Sequence, residues 1–147
     1  MDTRGQHLLV EFWGCNPRSL NDKDYLESKL RQAAEAANTT VVGVFLHQFT
    51  PEGVSGVVVI QESHLSIHTW PETGYAAVDF YTCGEGNPWK AFEVLKESLS
   101  SGCVETVLVE RGLGPEVTCK VVRGKEKTSL TLLSPFSENR NEGRVRV

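Results

Sequence analysis

Six short, largely apolar runs of this chain read as strands, and apolar residues recur at helical spacing in two longer segments. QHLLVEFWG, Gln6 to Gly14, is apolar with partial alternation and predicts a strand that ends at the glycine. In SLNDKDYLESKLRQAAEAANTT, Leu26, Leu30, Ala33, Ala34 and Ala37 fall on one face of a helix of roughly four turns. Asn21 is its predicted N-cap, Asp22 and Asp24 suit the first turn, and Asn38 with two threonines stops it. Strands follow at Val41 to Phe49, Val54 to Glu62, His64 to Trp70 and Tyr75 to Cys83, with Pro71 and Gly74 punctuating the last two. The run from Val54 is nearly all β-branched and reads as buried on both faces or very tightly packed. Asn87 caps a second helix with Pro88 at its first position; Phe92, Leu95 and Leu99 line one face, and Gly102 ends it. CVETVLVERG supplies one more strand.

The order β-α-β-β-β-β-α-β predicts an α+β fold: a two-layer sandwich, with an antiparallel sheet covered on one face by two helices. The other face then needs a partner, which predicts a homodimer. From Gly112 the pattern weakens. EVTCKVVR reads as a short edge strand, and GKEKTSLTLLSPFSENRNEGRVRV as a polar, mobile tail. The predicted organisation is one domain over residues 1–112 and an extension over 113–147.

The 147 residues suffice for one domain with a real core. A net charge of −4, with no basic stripe interleaved with aromatics, argues against nucleic acid as partner. No apolar run reaches the ~18–20 residues of a membrane span, and the first residues lack a signal peptide's pattern, so the expected location is cytoplasmic. Cys15, Cys83, Cys103 and Cys119 form no CxxC pair. At least three of them read as small buried hydrophobes of a reduced protein.

The chemistry concentrates in ESHLSIHTWPE, Glu62 to Glu72. His64 and His68 would share a helix face, but Leu, Ser and Ile between them favour a strand. Four strand residues span roughly 13 Å. That is too far for two ligands on one ion at ~2.1 Å each, so no metal site is predicted. The Glu62–Ser63 junction joins two strand runs with no Gly, Pro, Asn or Asp. It is either one long bent strand or a strained connection. A serine at a strained peptide bond can attack the preceding carbonyl, giving an ester that eliminates to dehydroalanine and ends as a pyruvoyl group. On residue types alone, an ordinary strand serine is the simpler reading.

The wider pattern shifts that balance. HLLVEFWGC, GVSGVVVIQESHLSIHTWPETGYAAVDFYTCG and PWKAFEVLKESL together resemble the prokaryotic S-adenosylmethionine decarboxylases, over about Gly5 to Gly112. The resemblance implies a proenzyme that cleaves itself between Glu62 and Ser63. Residues 1–62 would form one chain, and residues 63–147 another whose N-terminus is a pyruvoyl group made from Ser63. It assigns removal of the Ser63 α-proton during processing to His68, support of the processing geometry to Ser55, and proton donation in catalysis to Cys83. Phe49 and Trp70 match rings that stack on the substrate adenine, and Glu72 is assigned to the substrate hydroxyls or amine. The implied assembly is a four-layer αββα homodimer whose active sites use residues of both protomers; the implied cofactor is the pyruvoyl group, without metal or pyridoxal phosphate.

Two positions depart from the family pattern: Gln48, where many members carry a basic residue, and Thr73, where many carry an aromatic one. Both flank the proposed pocket, so arginine or ornithine stays open as an alternative substrate. A paralogue that never cleaves and serves as a partner subunit is a further alternative. The presence of Ser55, Ser63, His68 and Cys83 together weighs against it.

Overall fold

The computed structural model describes residues 2–116 and 120–127. Its elements run β1 (Gly5–Trp13), α1 (Pro17–Leu20), α2 (Lys23–Ala36), β2 (Thr40–Gln48), β3 (Val54–Gln61) and β4 (Ser63–Trp70). A 3₁₀ turn (Pro71–Thr73) leads to β5 (Tyr75–Cys83), α3 (Pro88–Ser98), β6 (Cys103–Arg111) and β7 (Lys120–Lys127). The strands form one seven-stranded sheet in the order β2-β3-β4-β5-β1-β6-β7, and every pair is antiparallel. β7 lies at an edge, pairing β6. Gly124–Lys127, expected at the start of the tail, belong to β7, where they pair with Cys103–Thr106; Cys119 and the rest of the expected tail lie outside the described residues.

The α+β expectation holds, with three α-helices among the described residues instead of two. The extra one is the single turn α1, where Asn16 Oδ1 accepts from the Arg18 amide at 2.9 Å and Pro17 opens the turn. Asn21 therefore closes α1, and the N-cap of α2 is Asp22, whose Oδ1 accepts from the Tyr25 amide at 2.9 Å. Asn21 Oδ1 instead receives the Gly53 amide and Gln48 Nε2. Asn87 caps α3 as expected, accepting from the Trp89 amide at 3.0 Å. That helix ends before Gly102: Leu99 is its C-cap, and the left-handed residue that follows is Ser100, at φ 52°.

Alternation along the strands divides the sheet into two unlike faces. Leu8, Val10, Phe12, Val58, Ile60, Leu65, Ile67, Val78 and Phe80 are buried in one core with Leu26 and Leu30 of α2 and Phe92 and Leu95 of α3. β3 buries only this side: Val54, Val58 and Ile60 are inside while Val59 is 45% exposed. Its β-branched run thus reflects strand propensity, and burial on both faces is not found within the protomer. Thr69 ties the layers together, accepting from the Val54 amide at 2.9 Å and donating to the Leu20 carbonyl at 2.7 Å. Phe12 is fully buried and stacks on Phe92 with ring centroids 6.0 Å apart. Phe12→Ala is expected to cost about 3–5 kcal/mol, read as a lower midpoint in denaturant unfolding at unchanged slope.

The opposite face carries no helix. It presents His7, Leu9, Glu11, Ser55, Val57, His64, Ser66, His68, Tyr75, Asp79, Tyr81 and Cys83 at alternate strand positions. Phe45 is 69% and Leu9 39% exposed there. All of the chemistry singled out in the sequence from Ser55 to His68 lies on this face or at its rim.

Candidate active site

β3 and β4 form a hairpin in which Ile60 pairs with Ser63, leaving Gln61 and Glu62 as the two loop residues. Two-residue hairpins normally place glycine or asparagine where φ must be positive. Here neither loop residue has a positive φ, and Ser63, the first residue of β4, takes one instead, at φ 137°. An L-residue is held there at a cost of about 1–3 kcal/mol, and only when its surroundings over-determine it. Ile60 and Leu65, buried on either side, anchor both strands in the core. Of the two options the sequence left open, the strained connection is the one found, and its strained residue is Ser63.

Ser63 Oγ lies 3.5 Å from His64 Nδ1. His64 Nε2 in turn lies 2.7 Å from Asp79 Oδ2, and His7 Nε2 approaches the same oxygen at 2.6 Å. Ser66 donates to the other carboxylate oxygen. Burial opposes ionisation of Asp79, but the hydrogen bonds from His7, Ser66 and His64 hold its carboxyl well below the usual carboxylate range. Arg111 Nη1 stands 3.3 Å from His7 Nδ1, and its guanidinium covers the Tyr81 ring at 4.5 Å. Arginine only donates, so His7 accepts at Nδ1 and carries its hydrogen on Nε2.

Sequence spacing could not show this cluster, since its members come from β1, β4, β5 and β6. Its signal was each residue's type at a strand position facing away from the core. The atoms of His7, His64 and Asp79 that could bind a metal lie within 4.8 Å of one another. The guanidinium donating to His7 argues instead for a hydrogen-bonded network, because a cation would have to displace the Nε2 hydrogen beside a fixed positive charge.

Cys83 lies at the same end of the sheet as Ser63. Ser63 pairs with Thr82, and Cys83 follows, opposite Gly5. A Cβ on Gly5 would stand 2.7 Å from Tyr81 Cε2 and 3.2 Å from Cys83 Sγ, so a larger residue there would have to push this pair aside. Tyr81 shares a hydrogen bond with Cys83, which raises the phenol pKa. Cys15 and Cys103 are buried; Cys83 is not, and burial pushes the Cys15 thiol up to about 12.

The remaining expected residues collect at the far end. Ser55 pairs with His68, and Ser55 Oγ lies 2.9 Å from His68 Nδ1. Trp70 ends β4 and Phe49 follows β2, both nearly half exposed. Trp70 stacks on Tyr75 at 5.1 Å, and Tyr75 on Trp13 at 4.2 Å, an aromatic row whose last two members sequence reasoning did not single out. Tyr75 also donates to Glu11. Glu72 is exposed in the 3₁₀ turn.

The structure thus sorts the expected site into two groups. Ser63 and His68 are five residues apart on one strand, roughly 16 Å. The resemblance gives the Ser63 α-proton to His68, but within the chain the histidine beside Ser63 is His64.

The family model described as S-adenosylmethionine decarboxylase matches residues 6–112. An S-adenosylmethionine decarboxylase proenzyme of Thermotoga petrophila is 50% identical over 118 residues, 80% of this chain and 91% of that protein. One from Anoxybacillus flavithermus is 45% identical over 115 residues, 78% of this chain and 93% of that protein. Among solved structures, the adenosylmethionine decarboxylase of Aquifex aeolicus aligns with a TM-score of 0.71 and 34% identity. The alignment covers 80% of this chain and 98% of that one.

Proposed function

The chain belongs to the S-adenosylmethionine decarboxylase family, and we propose that it is a proenzyme that cuts itself between Glu62 and Ser63 and then decarboxylates S-adenosylmethionine. The observation that carries this reading is Ser63 itself: a nucleophile at φ 137°, the first strand residue after a hairpin loop that holds no glycine. Attack of Ser63 Oγ on the Glu62 carbonyl exchanges the Glu62–Ser63 carbon–nitrogen bond for an ester, frees the Ser63 amine and relieves the strained backbone. Loss of the Ser63 α-proton to His68 expels the Glu62 carboxylate, and water hydrolyses the resulting dehydroalanine, releasing ammonia and leaving the pyruvoyl group.

Once formed, that group would supply an electrophilic carbonyl for the substrate amine and, in the adjacent carbonyl, a sink for the electron pair released with carbon dioxide. Everything else is the work of side chains. Cys83 delivers a proton to the substrate carbon. Phe49 and Trp70 stack on the adenine, where their π faces also favour the sulfonium by about 0.5–2 kcal/mol. Glu72 takes the substrate hydroxyls or amine, and Ser55 orients His68 through their shared hydrogen bond.

Each active site is shared between two protomers of a homodimer. A two-fold axis through the helix-free face lays one protomer's Ser63 and Cys83 over the partner's Ser55, His68, Phe49 and Trp70. Such an isologous contact also covers Leu9, Phe45 and Val59. Among the described residues no helix is long and apolar enough to cross a membrane. Cys15, Cys83 and Cys103 are all free, which fits the reducing cytoplasm.

The test is carbon dioxide release from carboxyl-labelled S-adenosylmethionine, arginine and ornithine, each supplied alone. Release from S-adenosylmethionine only is expected. Release from arginine or ornithine only would move the substrate assignment to a basic amino acid.

A further inference from the structure

We propose that His64 is the base that starts self-cleavage and that Asp79 and His7 are its positioning residues, a role that rests on the self-cleaving reading above. A serine hydroxyl is a weak nucleophile until a neighbour takes its proton. His64 Nδ1, 3.5 Å from Ser63 Oγ, is within the loose range usual before reaction. The opposite nitrogen of the ring is pinned 2.7 Å from Asp79 Oδ2. An ionised carboxylate can only accept, so Nε2 holds the ring hydrogen and Nδ1 keeps a lone pair toward the serine. Asp79 cannot swing away, because His7, Ser66 and His64 hold it from β1 and β4. Arg111 fixes His7 in the tautomer that donates to it. Carboxylate, imidazole and hydroxyl thus stand in the sequence of roles that activates serine in hydrolases on unrelated folds.

The step is an isomerisation and needs no co-reactant. The Ser63 hydroxyl proton passes to His64 Nδ1 as Oγ bonds to the Glu62 carbonyl carbon. The carbon–nitrogen bond between Glu62 and Ser63 then breaks, and His64 returns the proton to the departing Ser63 nitrogen. The products are an ester and a free amine within one chain. Two histidines then divide the proton transfers: His64 serves the acyl shift and His68 the later elimination. His68 of the same protomer cannot serve the first, being roughly 16 Å along the strand with Nδ1 engaged by Ser55.

The experiment follows cleavage of the full chain in a cell-free synthesis by denaturing intact mass. Wild type is expected to cleave, and His64→Ala to cleave about 10²-fold more slowly or worse. Added imidazole should restore cleavage of His64→Ala in proportion to its concentration, which a merely structural histidine would not allow. Hydroxylamine, which cuts esters, should release fragments from His68→Ala, blocked after the ester, and none from His64→Ala, blocked before it. Asp79→Asn should also be slow while keeping its melting temperature, because a carboxamide can donate to Nε2 and force the ring hydrogen onto Nδ1. Should His64→Ala lose its melting transition, Asp79→Asn decides alone. Wild-type rates in either folded variant, slow cleavage of His64→Ala without rescue, or hydroxylamine release from it as from His68→Ala would overturn the role of His64. A wild-type chain that stays intact would instead overturn the reading on which that role rests.

Discussion

Ser63→Ala is expected to leave the chain whole: one species near 16.3 kDa by denaturing mass, and carbon dioxide release from S-adenosylmethionine at background. Alanine keeps the backbone and most of the packing but removes Oγ, the atom that must bond to the Glu62 carbonyl. Strain at φ 137° survives the substitution. By itself it is worth about 1–3 kcal/mol, roughly one to two orders of magnitude in rate. That is far short of what spontaneous amide cleavage requires, so strain assists a nucleophile and cannot replace one. Cleavage between residues 62 and 63 in the alanine variant would show that the bond breaks by another route. A variant that no longer melts cooperatively would show that Ser63 serves the fold.

Mixing two dead chains should give back activity. Ser63→Ala removes one group of site residues and His68→Ala the other, and the two groups lie roughly 16 Å apart in a protomer. If each active site joins Ser63 of one protomer to the partner's His68, a heterodimer holds one site with both residues and one with neither. Random pairing makes half the dimers mixed, so co-expression should process about a quarter of all chains, all of them His68→Ala chains. Either variant alone should process none. No processing in the mixture, with mixed dimers present, would place the whole site within one protomer. Processing of His68→Ala alone at the wild-type rate would remove His68 from the reaction.

The periodicity of the sequence was enough for the order of strands and long helices, because burial on one side of a sheet imposes it directly. Asn87 with Pro88 marked its helix start correctly because few other residues satisfy both positions. Asn21 misled: a one-turn helix capped by Asn16 precedes the long one, and Asp22 beside it caps equally well. The run from Val54 misled in another way, since β-branched residues suit a strand whether one face or both are buried.

The site was legible as residue types and only partly as geometry. Ser55 with His68 and Ser63 with Cys83 are neighbours through strand pairing, which follows once the hairpin at Glu62 is recognised. The separation of Ser63 from His68 was open to the same arithmetic that set His64 and His68 too far apart to share a metal. What sequence could not supply was the network around Asp79. Four strands distant along the chain meet there, and nothing in the spacing of His7, His64, Asp79 and Arg111 announces it.

Denaturing intact mass of the freshly purified wild-type protein tests the central claim most directly. The expected result is two species, one ending at Glu62 and one beginning with a pyruvoyl group at position 63. A single 16.3 kDa chain that persists on long incubation would contradict it.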